Sequence, residues 1–173
     1  MRRGLTLIEL IITTAMVAIL TVVMALIFRA ILLSWAAQET RAGIDIGLDR
    51  GIEEVARDLR EAKQISQGND DIRFTQDGSN YYIYYFYNPN DTFPLAFNQS
   101  LYQLKKTELP GGIADTPDYG SGNIIITDVL PPPVSDLSYD EDPDFPDSAI
   151  IDLSVKRKDE TIRSRTQVKP RNL

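Results

Sequence analysis

The chain of 173 residues contains no cysteine and no histidine. The absence of cysteine excludes disulfides, thiol nucleophiles and cysteine metal sites, and the absence of histidine removes the commonest general base and metal ligand. Proline is missing from the first half, because all ten prolines lie at or beyond Pro89. The first half is therefore free to be helical, whereas the second half is not.

Basic residues are scarce in the middle of the chain. Residues 66–152 carry 3 basic and 15 acidic side chains, whereas residues 153–173 carry 7 basic and 2 acidic ones, and the formal net charge is −7. Binding to nucleic acid requires concentrated Lys and Arg, so the acidic balance argues against DNA or RNA as a direct partner. The basic tail from Lys156 to Arg171 could pair with the acidic 66–152 face of a neighbouring copy, but pairing with acidic residues of its own sheet is the simpler expectation.

A long apolar run follows the amino terminus. Residues 10–28 carry no charge, and at about 1.5 Å per residue a helix of this length spans close to 30 Å, the thickness of a bilayer core. The run is too long for a cleaved signal peptide and no A-x-A-like site follows it. Arg2 and Arg3 favour an amino terminus in the cytoplasm. Glu9 lies one turn inside the apolar run, where an ionisable group indicates a function.

The residues around this carboxylate form a signature. Met1-Arg2-Arg3-Gly4 followed by Leu5-Thr6-Leu7-Ile8-Glu9-Leu10 closely resembles the cleavage and methylation signature of type IV pilins and type II secretion pseudopilins. The resemblance implies that a prepilin peptidase cuts between Gly4 and Leu5 and then methylates Leu5. The apolar helix would stay on the mature protein, with Glu9 as its fifth residue. Leu5 departs from the family pattern, in which Phe is usual.

The helix is predicted to continue to about Gln67, with Gly68 as its stop signal. The segment from Ser34 to Gln67 contains no proline, and its apolar residues step by three and four along one face. This predicted stripe consists of Leu48, Ile52, Val55, Leu59 and Ala62.

Three glycines recur at four-residue spacing in this helix: Gly43, Gly47 and Gly51. They could form a small-residue groove at which a neighbouring helix approaches closely. They could equally form a weak, bendable stretch, since each interior glycine costs about 1 kcal/mol relative to alanine. The sequence leaves both interpretations open.

Beyond Gly68 the apolar period changes to two, which predicts strands. Residues 72–75 and 81–87 flank Asp77-Gly78, a strong hairpin signal. Further strands are predicted at 101–105, 123–127, 134–139, 149–156 and 161–168, of which the last two form a second hairpin. The predicted fold class is therefore α+β, with a long amino-terminal helix packed on an antiparallel β-sheet head, and this head resembles that of a pilin. The predicted organisation is a leader at 1–4, a transmembrane or filament-core helix at 5–33, an amphipathic helix half at 34–67 and the sheet at 68–173.

Two clusters that could bind ligands have simpler interpretations. Five tyrosines between residues 81 and 87 could form a stacking patch, but Tyr is a good strand residue with one face buried. The acidic loop at 140–147 lacks the alternating Asp/Asn residues and the closing Glu of a calcium loop. It is interpreted as a solvated surface loop, and no metal or cofactor is predicted.

The resemblance implies a structural subunit, namely a minor pilin or pseudopilin of a type IV pilus or type II secretion pseudopilus. Its head would lie outside the cytoplasm, and it would help to start or cap the filament. Glu9 would dock on the amino-terminal amine of a neighbouring subunit. The expected partners are other pilin-like subunits, the prepilin peptidase and the inner-membrane assembly platform.

A narrower resemblance involves Asp58-Leu59-Arg60, the final hairpin and the terminal Pro170-Arg171-Asn172-Leu173. These features resemble the branch of J-type pseudopilins and W-type minor pilins. Two alternatives stay open: a major pilin, and a membrane-anchored binding or enzymatic domain that uses the helix only as a tether. No nucleophile–base pair is identifiable in the sequence, so an enzyme is not predicted.

Overall fold

The computed structural model describes residues 6–68, 70–92, 95–139, 147–158 and 160–171, without the side chains of Ala37, Thr40 and Arg41. The chain divides into two compact units, one up to Ala42 and one from Gly43 onward. The helix α1 (Leu7–Glu61) runs through both. The described strands are β1 (Gln64–Gln67), β2 (Asp71–Thr75), β3 (Tyr81–Tyr87), β4 (Tyr102–Leu109), β5 (Asn123–Val129), β6 (Asp136–Tyr139), β7 (Ala149–Arg157) and β8 (Glu160–Val168).

The first unit is the apolar part of α1. Its stretch Leu7–Ala36 has a mean hydropathy of 2.7 over its most apolar window, and none of that window is buried. The helix is therefore long and apolar enough to cross a membrane, as the sequence predicted.

The second unit is built on the predicted apolar stripe of α1. All five stripe residues are buried, with at most 6% exposure, and they belong to one cluster with residues of the sheet. Ile46 points away from this cluster and is 61% exposed. The helical period alone therefore decides which face of this helix half contacts the sheet.

The sheet is antiparallel and curled, with strand order β1-β2-β3-β4-β5-β7, and β6 and β8 also pair with β7. The curl brings the end of β1 near β6, where the Gln67 side-chain amide donates to the Leu137 carbonyl at 3.0 Å. Each predicted strand is present, and the strand predicted at 101–105 extends to Leu109. The α+β fold class is confirmed, with an arrangement like that of a pilin.

The helix ends at Glu61, and not at Gln67 as predicted. Residues 64–67 form β1, which pairs with β2, and the Lys63 N–H donates to the Thr75 carbonyl at 2.8 Å. A continued helix would also place Ile65 on the stripe, three residues after Ala62. The edge of β2 offers Ile65 a core position as well, and it supplies backbone partners to the whole segment. Gly68 belongs to the β1–β2 turn, where an added Cβ would collide with the Asp71 carboxylate.

The hairpin predicted at Asp77-Gly78 is confirmed. Gly78 has φ +84°, a conformation that glycine adopts without steric cost. The Asp77 carboxylate accepts from the Asn80 and Ser79 N–H groups, and these bonds hold its pKa at about 2. The second predicted hairpin joins β7 to β8, with Arg157 opposite Glu160.

Candidate functional site

The residues predicted for processing, Gly4 and Leu5, lie outside the described residues. The peptidase cut and the methylation therefore stay predictions from the signature. The described chain begins two residues after the expected cut, at Thr6.

Glu9 lies in the first turn of α1, where it has a local role that the sequence interpretation missed. Its backbone N–H approaches the Thr6 hydroxyl at 3.4 Å and the Thr6 carbonyl at 3.1 Å, so Thr6 caps the helix. Thr6-Leu7-Ile8-Glu9 matches the capping-box pattern, in which Glu follows Thr by three residues. An acidic residue in the first turn also complements the helix dipole. Helix capping is thus a second explanation for a carboxylate at this position.

The side chain of Glu9 is exposed and makes no ion pair with any described residue. The threonine hydroxyl groups nearby, in contrast to the Glu9 carboxylate, have hydrogen-bond partners within the helix. Thr13 donates to the Glu9 carbonyl at 2.8 Å, and Thr14 and Thr21 donate to carbonyls four residues earlier. These bonds satisfy the hydroxyl groups within the helix itself. The surface of the helix from Leu7 to Phe28 is therefore apolar, and the Glu9 carboxylate is the one charged group on it.

The three glycines have two different environments. Gly51 is buried, and an added Cβ would collide with the Ile126 side chain on β5. Around Gly43 and Gly47 an added Cβ would meet nothing within 4 Å, and both line a groove of about 210 Å³ beside β5. Gly51 therefore lets the helix approach its own sheet, a reason that the sequence did not suggest. For Gly43 and Gly47 both interpretations from the sequence stay open, namely a groove for a neighbouring helix and a bendable stretch.

Replacing Gly47 and Gly51 with alanine should change the stability of the second unit in opposite directions. We expect Gly47→Ala to raise the free energy of unfolding of the second unit by about 0.5–1 kcal/mol, because a helical glycine is replaced without a clash. Gly51→Ala should lower it by about 1–3 kcal/mol through overpacking against Ile126. Urea melts of both variants and the parent provide the measurement. Equal stability of Gly51→Ala and the parent would contradict the close contact with β5.

Asp58 belongs to the Asp58-Leu59-Arg60 string that resembles J-type pseudopilins and W-type minor pilins. It is a buried charge that joins the helix to the sheet. Its carboxylate accepts from the Tyr84 hydroxyl at 2.7 Å and from the Lys106 ammonium at 2.5 Å. Lys106 also lies over the ring of Tyr82, 5.0 Å from its centroid. Both partners are far away along the chain, so no local pattern indicates this contact. Leu59 belongs to the core, and the Arg60 carbonyl accepts from the Arg171 N–H. The string therefore has a structural role in this chain.

The tyrosines of β3 are strand residues, as predicted, but the strand is buried on both faces and not on one. Tyr84 and Tyr85 are buried on opposite faces, and Tyr81, Tyr82 and Tyr87 are half-buried. Tyr85 exchanges hydrogen bonds with the 110–122 loop: its hydroxyl donates to the Ser121 carbonyl and accepts from the Gly120 N–H. The buried rings and these hydrogen bonds therefore contribute to the packing of the head.

The buried tyrosines predict a loss of stability in alkali. The pKa of Tyr84 is raised chiefly by burial and secondly by the hydrogen bond to Asp58. The pKa of Tyr102 is raised to about 12 by burial and by the hydrogen bond to Asp91. An unfolded Tyr ionises near pH 10, so the stabilisation is complete below that pH and is lost as the pH rises above it. Thermal melts between pH 8 and 12 should show a falling midpoint. Tyr84→Phe should flatten this dependence, and a midpoint constant to pH 12 would contradict the prediction.

Most of the acidic loop predicted at 140–147 cannot be placed in the fold, because residues 140–146 lie outside the described residues. Among the residues that are described, no group of three or more acidic residues is placed to hold a metal.

The basic carboxyl-terminal segment forms ion pairs with its own sheet. Arg163 makes two hydrogen bonds to Asp152, and Arg157 contacts Asp128 at 2.9 Å. Pairing within its own sheet, as predicted, therefore accounts for part of the basic charge.

Comparisons of the chain with protein-family models, with curated proteins and with solved structures found no match. The resemblance to pilins therefore stays a prediction from the residues of the amino-terminal signature.

Proposed function

We propose that the chain is a structural subunit, a minor pilin or pseudopilin, of a type IV pilus or type II secretion pseudopilus. Its apolar helix crosses the membrane with the amino terminus in the cytoplasm, and the head lies outside. After cleavage the helix enters a filament, and the subunit helps to start or cap it. Its partners are other pilin-like subunits, the prepilin peptidase and the inner-membrane assembly platform.

One observation carries this proposal: in the sequence the Gly4-Leu5 signature precedes an apolar helical stretch, Leu7–Ala36, that carries Glu9 in its first turn and whose most apolar window is not buried. An exposed apolar surface of this size requires lipid or other helices around it. A tether would also place the helix in lipid, but it needs neither the glycine nor the carboxylate.

Processing tests the proposal directly. The protein purified from membranes of cells with an active prepilin peptidase should begin at Leu5 and carry one added methyl group, which intact-mass measurement detects. A variant with Gly4 replaced by Leu should retain the leader and serves as the control. Retention of Met1–Gly4 in the parent would contradict the proposal, and a cut near Ala36 would indicate an ordinary secreted protein.

A further inference from the structure

The last strand of the sheet, β8, pairs along its whole length with β7, which is its one partner strand within the described part of the chain. In an antiparallel pair, every second residue directs its backbone N–H and C=O groups away from the partner strand. At about 3.4 Å per residue, the nine residues of β8 therefore form an outer edge of about 30 Å that carries backbone donors and acceptors.

The protection of this outer edge is limited to charge. A long strand edge pairs readily with another chain unless a bulge, a proline, a covering segment or charged side chains prevent it. The β7–β8 pairs run without a register shift, and β8 contains no proline. Arg163 and Arg165 are the basic residues of the strand, so any strand that pairs there has to suit these two charges.

The face of the β7–β8 hairpin that carries both arginines has an excess of positive charge. Lys156 and Asp152 of β7 lie on the same face, because they pair with Thr161 and Arg165. Arg163 binds the Asp152 carboxylate at 2.5 and 2.7 Å, whereas the Arg165 guanidinium is 4.0 Å from that same carboxylate. The side chains of Arg163 and Arg165 are 62% and 61% exposed. One buried carboxylate therefore serves two guanidinium groups that still face solvent.

This charge argues against a second copy of β8 as the partner. Fully overlapped antiparallel pairing of two β8 strands would place Arg163 of one copy opposite Arg165 of the other. Like charges directly opposite each other in a sheet are destabilising. A strand with carboxylates at every second position would instead offer each guanidinium an opposite charge.

The other face of β8 specifies the residues between those carboxylates. Ile162 is half-buried and packs against the core cluster, and Ser164 and Thr166 on the same face are half-buried as well. A strand added beside β8 would bring its intervening side chains next to Ile162, where apolar residues bury surface.

We propose that the outer edge of β8 binds an extended strand of another protein in which acidic residues alternate with apolar ones. Backbone hydrogen bonds along the edge hold the added strand, and Arg163 and Arg165 select its charge. The inference goes beyond the proposed function, since it involves the head and not the apolar helix. Because the added strand differs from β8, the contact joins two different proteins and does not propagate through copies of this chain.

Peptide binding to the full chain in mild detergent tests the proposal. The probe is a fluorescently labelled nine-residue peptide of alternating Asp and Val, and the controls are a Lys–Val alternation and a peptide with all its Asp residues grouped at one end. Fluorescence anisotropy should show that the Asp–Val alternation binds at least about tenfold more tightly than either control. No binding at about 1 mM, or equal binding of the Asp–Val and Lys–Val peptides, would overturn the proposal.

Two methylated peptides distinguish strand pairing from simple charge attraction. They carry N-methyl groups on all Asp amides or on all Val amides. A strand donates hydrogen bonds to one neighbour from every second residue, so one set of methyl groups should abolish binding and the other should not. Binding of both methylated peptides as tightly as the parent peptide would overturn strand addition.

Hydrogen exchange identifies the edge that is used. The Asp–Val peptide should slow amide exchange in β8. The other end of the sheet is β1, a strand of four residues. Slowed exchange in β1 and none in β8 would overturn the assignment.

Arg165→Glu tests the charge, because Arg163 remains to hold Asp152. We expect it to weaken binding of the Asp–Val peptide at least about tenfold, with Arg165→Gln in between. Arg50→Glu, on an exposed position of α1, makes the same change in net charge and should keep the affinity within about twofold of the parent. Thermal melts verify that each variant is folded. An equal loss in Arg50→Glu, or no loss in Arg165→Glu, would mean that the arginines only guard the edge, and it would overturn the proposal.

Discussion

Replacing Leu59 with Asp is expected to unfold the second unit at ordinary temperature. Leu59 has no exposed surface and lies in the cluster shared by helix and sheet. The substitution removes an apolar side chain and buries an unpaired carboxylate, which together cost about 5 kcal/mol or more. Domains of this size have a total stability of about 5–15 kcal/mol. The variant should therefore show no cooperative thermal transition by circular dichroism.

The matched control is Ile46→Asp, on the exposed face of the same helix. Because Ile46 is outside the core, its replacement should change the free energy of unfolding by less than about 0.5 kcal/mol. Both variants can be made in a chain shortened to residues 34–173, which we expect to be soluble because the second unit has its own core. A normal melting curve for Leu59→Asp would show that the apolar stripe is misplaced.

Replacing Glu9 with Leu should abolish incorporation into filaments while leaving processing at Gly4 and membrane insertion intact. The carboxylate is the one acidic group in the apolar run, and it has no ion-pair partner among the described residues. In a filament it would attract a positive group of a neighbour more strongly than in water, because the surroundings are apolar. Leu keeps the helix apolar and removes that attraction. Fractionation of membranes and sheared filaments provides the measurement.

Two conservative variants separate the charge from the helix cap. Glu9→Gln keeps the pattern of a capping box but carries no charge, so we expect it to fail like Glu9→Leu. Glu9→Asp keeps the charge with a shorter reach and should be partly incorporated. Assembly of Glu9→Gln at the level of the parent would assign Glu9 to helix capping alone, and the tether hypothesis would then be favoured.

Local patterns were sufficient for much of the fold because their physical causes are local. The spacing from Leu48 to Ala62 follows from 3.6 residues per turn, and the Asp77-Gly78 turn follows from the left-handed conformation that glycine allows. The capping pattern of Thr6 and Glu9 is equally local, and the same kind of inspection could have found it.

Contacts between distant segments could not be predicted in this way. The Lys106 partner of Asp58 is 48 residues away, and no periodicity connects them. In the sequence Gly51 is one of three equally spaced glycines, whereas in the fold it alone of the three lies against the Ile126 side chain. Because such contacts depend on which strand passes the helix, they arise only when the sheet has formed.

The apolar helix, the buried face of its second half and the two hairpins follow from local sequence patterns, and the processing signature stays a prediction from the same source. The end of the helix, the reason for Gly51 and the buried charge that joins helix to sheet depend on contacts between distant segments. The helix end shows the reason. The local sequence permits helix as far as Gln67, but the free edge of β2 supplies backbone partners to residues 63–67, and pairing there adds Ile65 to the core.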